Sequence, residues 1–176
     1  PRPTARTARI SFISHGWPVI ARFAIEADIE AVLALCAMGA AERGVPFVDA
    51  VARPKLLAAL ARGNPAIFVA DAEGELVGAL KASLVEHDLF DGFYAVQDLF
   101  FVRPDVRGSR AAALLIQALI YWSEALGADK IIGQSDHPDK PERLAAFLKR
   151  FGFEKAGSCV ERPRSTSNGT FRQGRQ

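Results

Sequence analysis

Along the chain, stretches in which apolar residues recur every three to four positions alternate with stretches in which they run together, and that contrast predicts the elements. Between Glu26 and Arg43 the residues Ile29, Val32, Leu33 and Cys36 fall at i, i+3, i+4 and i+7, the stripe of an amphipathic helix with Gly39 and Gly44 near its end. Pro54 is placed to open a short second helix carrying Leu56, Leu57 and Leu60, which Gly63 closes. Residues 66–70 and 76–85, apolar and separated by the polar turn 71–74, predict a hairpin, and residues 94–102 a third strand ended by Pro104. Leu115, Leu119, Trp122 and Leu126 then return to helical spacing until Gly127 supplies a stop. Residues 130–134 read as a short strand. Residues 141–151 form a helix on the stripe Leu144, Phe147, Leu148 and Phe151, and residues 153–160 a last strand. A further strand is expected around residues 10–13. Helices interleaved with strands in this order predict an α/β chain, a mixed sheet covered on both faces.

Composition turns this pattern into one body with two tails. At 176 residues, 49% hydrophobic and 24% charged, the chain suits a single globular domain with a core of its own, placed at residues 10–160. Its net charge of +2 hides an uneven distribution. Residues 1–9 carry Arg2, Arg6 and Arg9 without an acid, and residues 161–176 carry Arg162, Arg164, Arg172 and Arg175 against Glu161. The body between them is acidic, so nucleic acid, which is met by a basic folded surface, is not the expected partner. The basic tails read either as solvated ends or as a docking device for an acidic neighbour. No apolar run reaches the roughly 18–20 residues of a membrane span, and the opening residues lack a signal peptide's apolar segment, so the expected location is cytoplasmic and no membrane partner is expected. Cys36 and Cys159, both among apolar neighbours, are too few for a disulfide framework or a cysteine zinc site. His15 and His87 lack companions at ligand spacing, so no metal is expected. The phosphate-loop and nucleophile-elbow patterns are absent, and the loop at Gly108 has too few glycines for a dinucleotide fingerprint.

Candidate chemistry concentrates in residues 102–112, where a strand passes through Val102, Pro104, Arg107 and Gly108 into a long helix. The first turn of a helix offers unpaired N–H groups and the positive end of its dipole, so this junction suits a phosphate, with Arg107 and Arg110 adding charge; it reads equally as an ordinary turn with two exposed arginines. Val102, Pro104, Arg107 and Gly108, spaced Val-x-Pro-x-x-Arg-Gly before an amphipathic helix, resemble the acetyl-CoA binding motif of the GNAT superfamily of N-acetyltransferases. Residues 148–153, ending in Gly152 and Phe153, are similar to the second signature of that superfamily, and the likeness covers roughly residues 10–160.

The resemblance implies a mixed, mainly antiparallel sheet of about six strands with helices on both faces, and acetyl-CoA as co-substrate. Its pyrophosphate would rest on the backbone of Arg107, Gly108, Ser109, Arg110, Ala111 and Ala112, and its pantetheine arm along Phe101 and Val102. A primary amine, on a small molecule or a protein, would attack directly, with a general base taking its proton and a general acid serving the thiolate. A homodimer is a further implied partner, with Phe90 and Phe93 as candidate edges.

Asp98 is the one carboxylate inside the third strand, and strand interiors usually exclude aspartate. It is the candidate base, or else a carboxylate that organises the sheet or binds a cation. Phe93, Tyr94, Phe100 and Phe101 either desolvate it or are plain core. Glu86, Asp88 and Asp91 make an acidic loop that reads as a solvated tip or as an attractor of cationic amines. Two positions depart from the family pattern. Arg110 stands where a glycine is usual, and can clamp a phosphate or close the site. Leu148 stands where a tyrosine often acts as the acid, leaving His137, in the loop with Ser135 and Asp136, as the candidate substitute. The alternative to an enzyme is a catalytically degenerate domain that binds or assembles through its basic tails.

Overall fold

The hairpin at the centre of the chain organises everything around it. A computed structural model describes residues 18–89, 91–133 and 141–157. Strands β2 (Ala66–Ala72) and β3 (Glu75–Glu86) pair antiparallel across a two-residue turn. Glu73 and Gly74 both take positive φ, 54° and 96°, the combination whose twist matches that of the flanking strands. Strand β4 (Phe93–Val102) adds antiparallel to β3, β1 (Val19–Phe23) antiparallel to β2, and the two-residue β5 (Ile131–Ile132) parallel to β4. The sheet order is therefore β1-β2-β3-β4-β5, mixed and mainly antiparallel.

Alternation along the strands sends side chains to two separate cores. On one face Phe68, Leu80, Ala95 and Val102 pack under α3 (Ala111–Ala125), whose Leu115, Ile116 and Leu119 are buried, and against Leu148 of α4 (Pro141–Lys149). On the other, Ile67, Val69, Ala79 and Phe101 meet Val32, Leu33 and Leu35 of α1 (Ile29–Glu42) and Leu56 and Ala59 of α2 (Asp49–Arg62). Among the described residues no helix is long and apolar enough to cross a membrane.

Three expected elements are corrected. Helix α2 begins at Asp49, five residues before Pro54, which sits inside it. The Asp49 carboxylate holds Arg53 one turn on, with bonds of 2.9 and 3.1 Å, and Arg53 also grips Glu30 of α1. A first turn anchored this way tolerates the single hydrogen bond that proline removes. Residues 153–157 form no strand, and the rest of the strand expected at 153–160 lies outside the described residues; the described sheet has five strands, close to the six expected. Of the expected strand at 130–134 only Ile131 and Ile132 pair. The edge strand is Val19–Phe23, whose Val19, Ala21 and Phe23 face the α3 core; the strand expected at 10–13 lies outside the described residues, as do both tails, Phe90, Cys159 and His137.

Candidate active site

Strand β4 contains an irregularity that decides where its side chains point. Ala82 pairs with Gln97 and the next residue back, Lys81, pairs with Leu99, so Asp98 is an extra residue in the ladder, a β-bulge. Ahead of it Ala95 faces the α3 core, and beyond it Phe100 and Val102 do so while Leu99 and Phe101 face α1 and α2. The bulge aims Asp98 at the α1–α2 face, where Lys81 and Ser83 of β3 project between the core-facing Leu80, Ala82 and Leu84. The Ser83 hydroxyl donates to Asp98 Oδ2, and Lys81 Nζ lies 3.3 Å from the same oxygen. The Asp98 side chain remains 25% exposed. Oδ1 has no partner among the described residues.

Among the described residues the edge of β4 that faces β5 is paired only at Ala95 and Val96. Arg103 N–H donates to Val77 on the β3 side, so alternation turns the peptide groups of Phe100 and Val102 to the open edge. This stretch, from the bulge to the strand end and about 13 Å long at the usual rise per strand residue, pairs with no strand among the described residues, and of its outward peptide groups only the Val102 carbonyl is taken, by Arg107.

The row ends at the loop into α3. After the single 3-10 turn Pro104–Val106 the chain reverses at Gly108, whose φ of 95° disfavours any other residue. Arg107 fixes this loop to its surroundings. Its Nε donates to the Val102 carbonyl at 2.9 Å, its Nη2 to Glu42 at the end of α1 at 2.6 Å, and its guanidinium lies over the Phe101 ring. The amides of Arg107 and Ser109 close turns to Pro104 and Val106, and the Ser109 hydroxyl accepts from the Ala111 amide. The N–H groups of Gly108, Arg110 and Ala112 find no acceptor among the described residues, and Arg110, exposed at the N-cap of α3, contributes no capping side chain. Positive helix end and open amides together suit an anion.

The structure thus brings Asp98, Phe101, Val102 and residues 107–112 onto one edge of one strand and its exit loop. Leu148 is buried in the α3 core beside Gly133, where it supplies no proton donor. Glu86, Asp88 and Asp91 are exposed at the far tip of the β3–β4 hairpin. Cys36 lies on the α1–α2 face, where burial pushes its thiol up and the nearby Lys81 and Arg43 only partly offset this, so it is not a ready thiolate. Sequence reasoning passed over Lys81 and Ser83. Their signal was available: two polar residues at i and i+2 in an otherwise apolar strand mark one face.

A family model described as the acetyltransferase (GNAT) family matches residues 35–153. No curated protein sequence matches the chain. Among solved structures, the chain is 21% identical to the aminoglycoside N-acetyltransferase AAC(6')-Iy in complex with a CoA-acetylneamine bisubstrate analogue, covering 86% of this chain and 99% of that one with a TM-score of 0.69. It is 14% identical to a predicted acetyltransferase with acetyl-CoA from Clostridium acetobutylicum, covering 82% and 96% with a TM-score of 0.69. A ribosomal-protein-alanine N-acetyltransferase from Brucella melitensis is 20% identical, covering 82% and 98% with a TM-score of 0.66. At these identities the structures share the fold.

Proposed function

The chain belongs to the GNAT acetyltransferase family, and from that premise we propose that it transfers the acetyl group of acetyl-CoA to a primary amine by direct attack in a ternary complex. The observation that carries this reading is the continuous open edge of β4, running from the bulged Asp98 to the glycine turn and the unpaired amides before α3. An extended arm rich in amide groups can pair with such an edge as an added strand does. The amides of Gly108, Arg110 and Ala112 would hold the pyrophosphate at the helix end. When bound, acetyl-CoA supplies an activated acyl carbon at the bulge end of the edge.

Asp98 takes the proton from the attacking nitrogen through Oδ1, while Ser83 and Lys81 hold Oδ2 and fix the carboxylate. An open-edge N–H of β4 donates to the carbonyl oxygen as negative charge develops there. The new bond is nitrogen to acyl carbon, the bond broken is carbon to sulfur, and the thiolate takes its proton from solvent or from His137. Burial of the Cys36 thiol argues against an acyl-cysteine intermediate at that site.

Isothermal titration of acetyl-CoA into the protein, the Asp98→Asn variant and the Arg110→Gly variant tests the reading. The expected result is micromolar binding to all three, because backbone donors rather than these side chains hold the co-substrate. Binding only after Arg110→Gly would show a site closed by that arginine, and the domain would then be a binding module rather than an enzyme.

A further inference from the structure

Beside Lys81, the partner of Asp98, an open hollow of about 270 Å³ lies between α2 and β3, its mostly apolar wall carrying three cationic side chains. Lys55 and Arg62 are seven residues apart and so stand two turns apart on one face of α2, about 10 Å along its axis. Lys81 closes the third side from β3, and its Nζ is the group that touches Asp98. The floor is fixed by Asn64, whose side chain donates to the Leu84 carbonyl at 3.0 Å and accepts from the Leu84 amide at 2.9 Å. Neither Lys55 nor Arg62 meets a carboxylate among the described residues, whereas Arg22, Arg53, Arg103 and Arg107 all do. Two unneutralised cations therefore face a cavity whose third cation is shared with the proposed base.

We propose that the acceptor is an amine that also carries an anionic group, a carboxylate or a phosphate, with its nitrogen at Asp98 and its anion between Lys55 and Arg62. This rests on the acetyl-transfer reading and narrows it. A polycationic amine entering the same space would meet the two like charges of Lys55 and Arg62, with Lys81 offset by Asp98, whereas an anion gains charge-assisted hydrogen bonds from both side chains. The acidic groups at the hairpin tip lie away from this cavity and do not neutralise it.

The test compares γ-aminobutyrate, aminopropyl phosphate, butylamine and putrescine as acceptors, following release of the CoA thiol, with direct binding of the two anionic amines followed by ligand-observed NMR. At least one anionic amine is expected to exceed butylamine in kcat/KM by about tenfold, with putrescine lowest, and the pair distinguishes carboxylate from phosphate. Lys55→Glu and Arg62→Glu, both at solvent-accessible side chains, are expected to raise KM for that amine about tenfold while kcat, the butylamine rate and acetyl-CoA affinity hold. Preference for putrescine or butylamine, or an anionic preference that survives both charge reversals, would overturn the proposal. Acetyl-CoA binding without binding of either anionic amine sinks the anion site and leaves acetyl transfer standing. Binding of an anionic amine that Arg62→Glu abolishes, in a protein that does not bind acetyl-CoA, does the reverse.

Discussion

Asp98 spends one oxygen on holding itself and, in the proposed reaction, keeps the other for the acceptor. Oδ2 accepts from Ser83 and lies beside Lys81, while Oδ1 is the atom an acceptor amine can reach. Replacing Asp98 by Asn preserves shape and removes basicity, so kcat should fall by about 10²- to 10³-fold, while the acetyl-CoA dissociation constant measured by titration stays within about twofold. Gly108 makes a separate prediction. Alanine there must adopt a φ of 95°, so Gly108→Ala should cost about 1–2 kcal/mol in urea unfolding and weaken acetyl-CoA binding by re-aiming the loop amides. Asp98 was legible in the sequence because a carboxylate inside an apolar strand has to be explained. Its partners were less so, because a bulge one residue long changes which residues share a face, and periodicity assumes that none is present. Arg107 shows a different gap: its spacing suggests a side chain aimed at phosphate, yet its guanidinium is occupied by Val102 and Glu42, so the proposed phosphate site falls to the loop backbone.

At the level of elements, β1 is tied into the fold by Arg22. Its guanidinium reaches Asp28 at the start of α1, at 2.6 and 2.9 Å, and Asp71 of β2 at 2.9 Å, so three elements meet at one side chain. Burial pushes the Asp28 carboxyl up, but the Arg22 guanidinium and the Ile25 amide bind its charged form, and the net direction is below the ordinary aspartate value. A carboxyl lower in the folded than in the unfolded state stabilises the fold above its unfolded value, near pH 4, and that contribution is lost as pH falls through the lower folded value. Urea midpoints measured from pH 6 to pH 3 should therefore fall on acidification in the native protein and fall less in Asp28→Asn, which should already have lost about 2 kcal/mol at neutral pH. The elements themselves were legible wherever periodicity ran long, as in α1, α3 and the central hairpin. The misses have local causes. Proline marks helix starts only as a tendency, and at α2 the Asp49–Arg53–Glu30 group sets the start earlier. Residues 153–157 carry a single apolar side chain in the core, Phe153, and without further anchors the backbone does not join the ladder.

Two cores on opposite faces of one sheet hold the molecule together. Leu119 of α3, fully buried, and Leu35 of α1, 2% exposed, belong to different clusters on opposite faces of the sheet. Each truncated to alanine should cost about 2–5 kcal/mol, the two costs should add, and both variants should unfold in a single transition with the native denaturant slope if the sheet couples the faces. Saturating acetyl-CoA at 100 times its dissociation constant should return about 2.7 kcal/mol to either variant, because the open edge of β4 belongs to both halves. At this scale the architecture was readable from two short signatures and the order of helices and strands. The identity of the acceptor was not, because the cations that face the cavity, Lys55, Arg62 and Lys81, come from two elements and look in sequence like ordinary surface charge.

The bulge at Asp98 also bears on how this strand can change over time. An extra residue pairs with nothing in the ladder, so its side chain can be exchanged without disturbing the register of its neighbours. Loss of the residue would be absorbed in the same way: with 98 deleted, Gln97 still meets Ala82 and Leu99 still meets Lys81, plain alternation is restored, and Phe101 and Val102 keep their separate cores. Position 98 is thus free to drift in chemistry and free to come and go, so reactivity on this scaffold can be gained or lost there without unsettling either core.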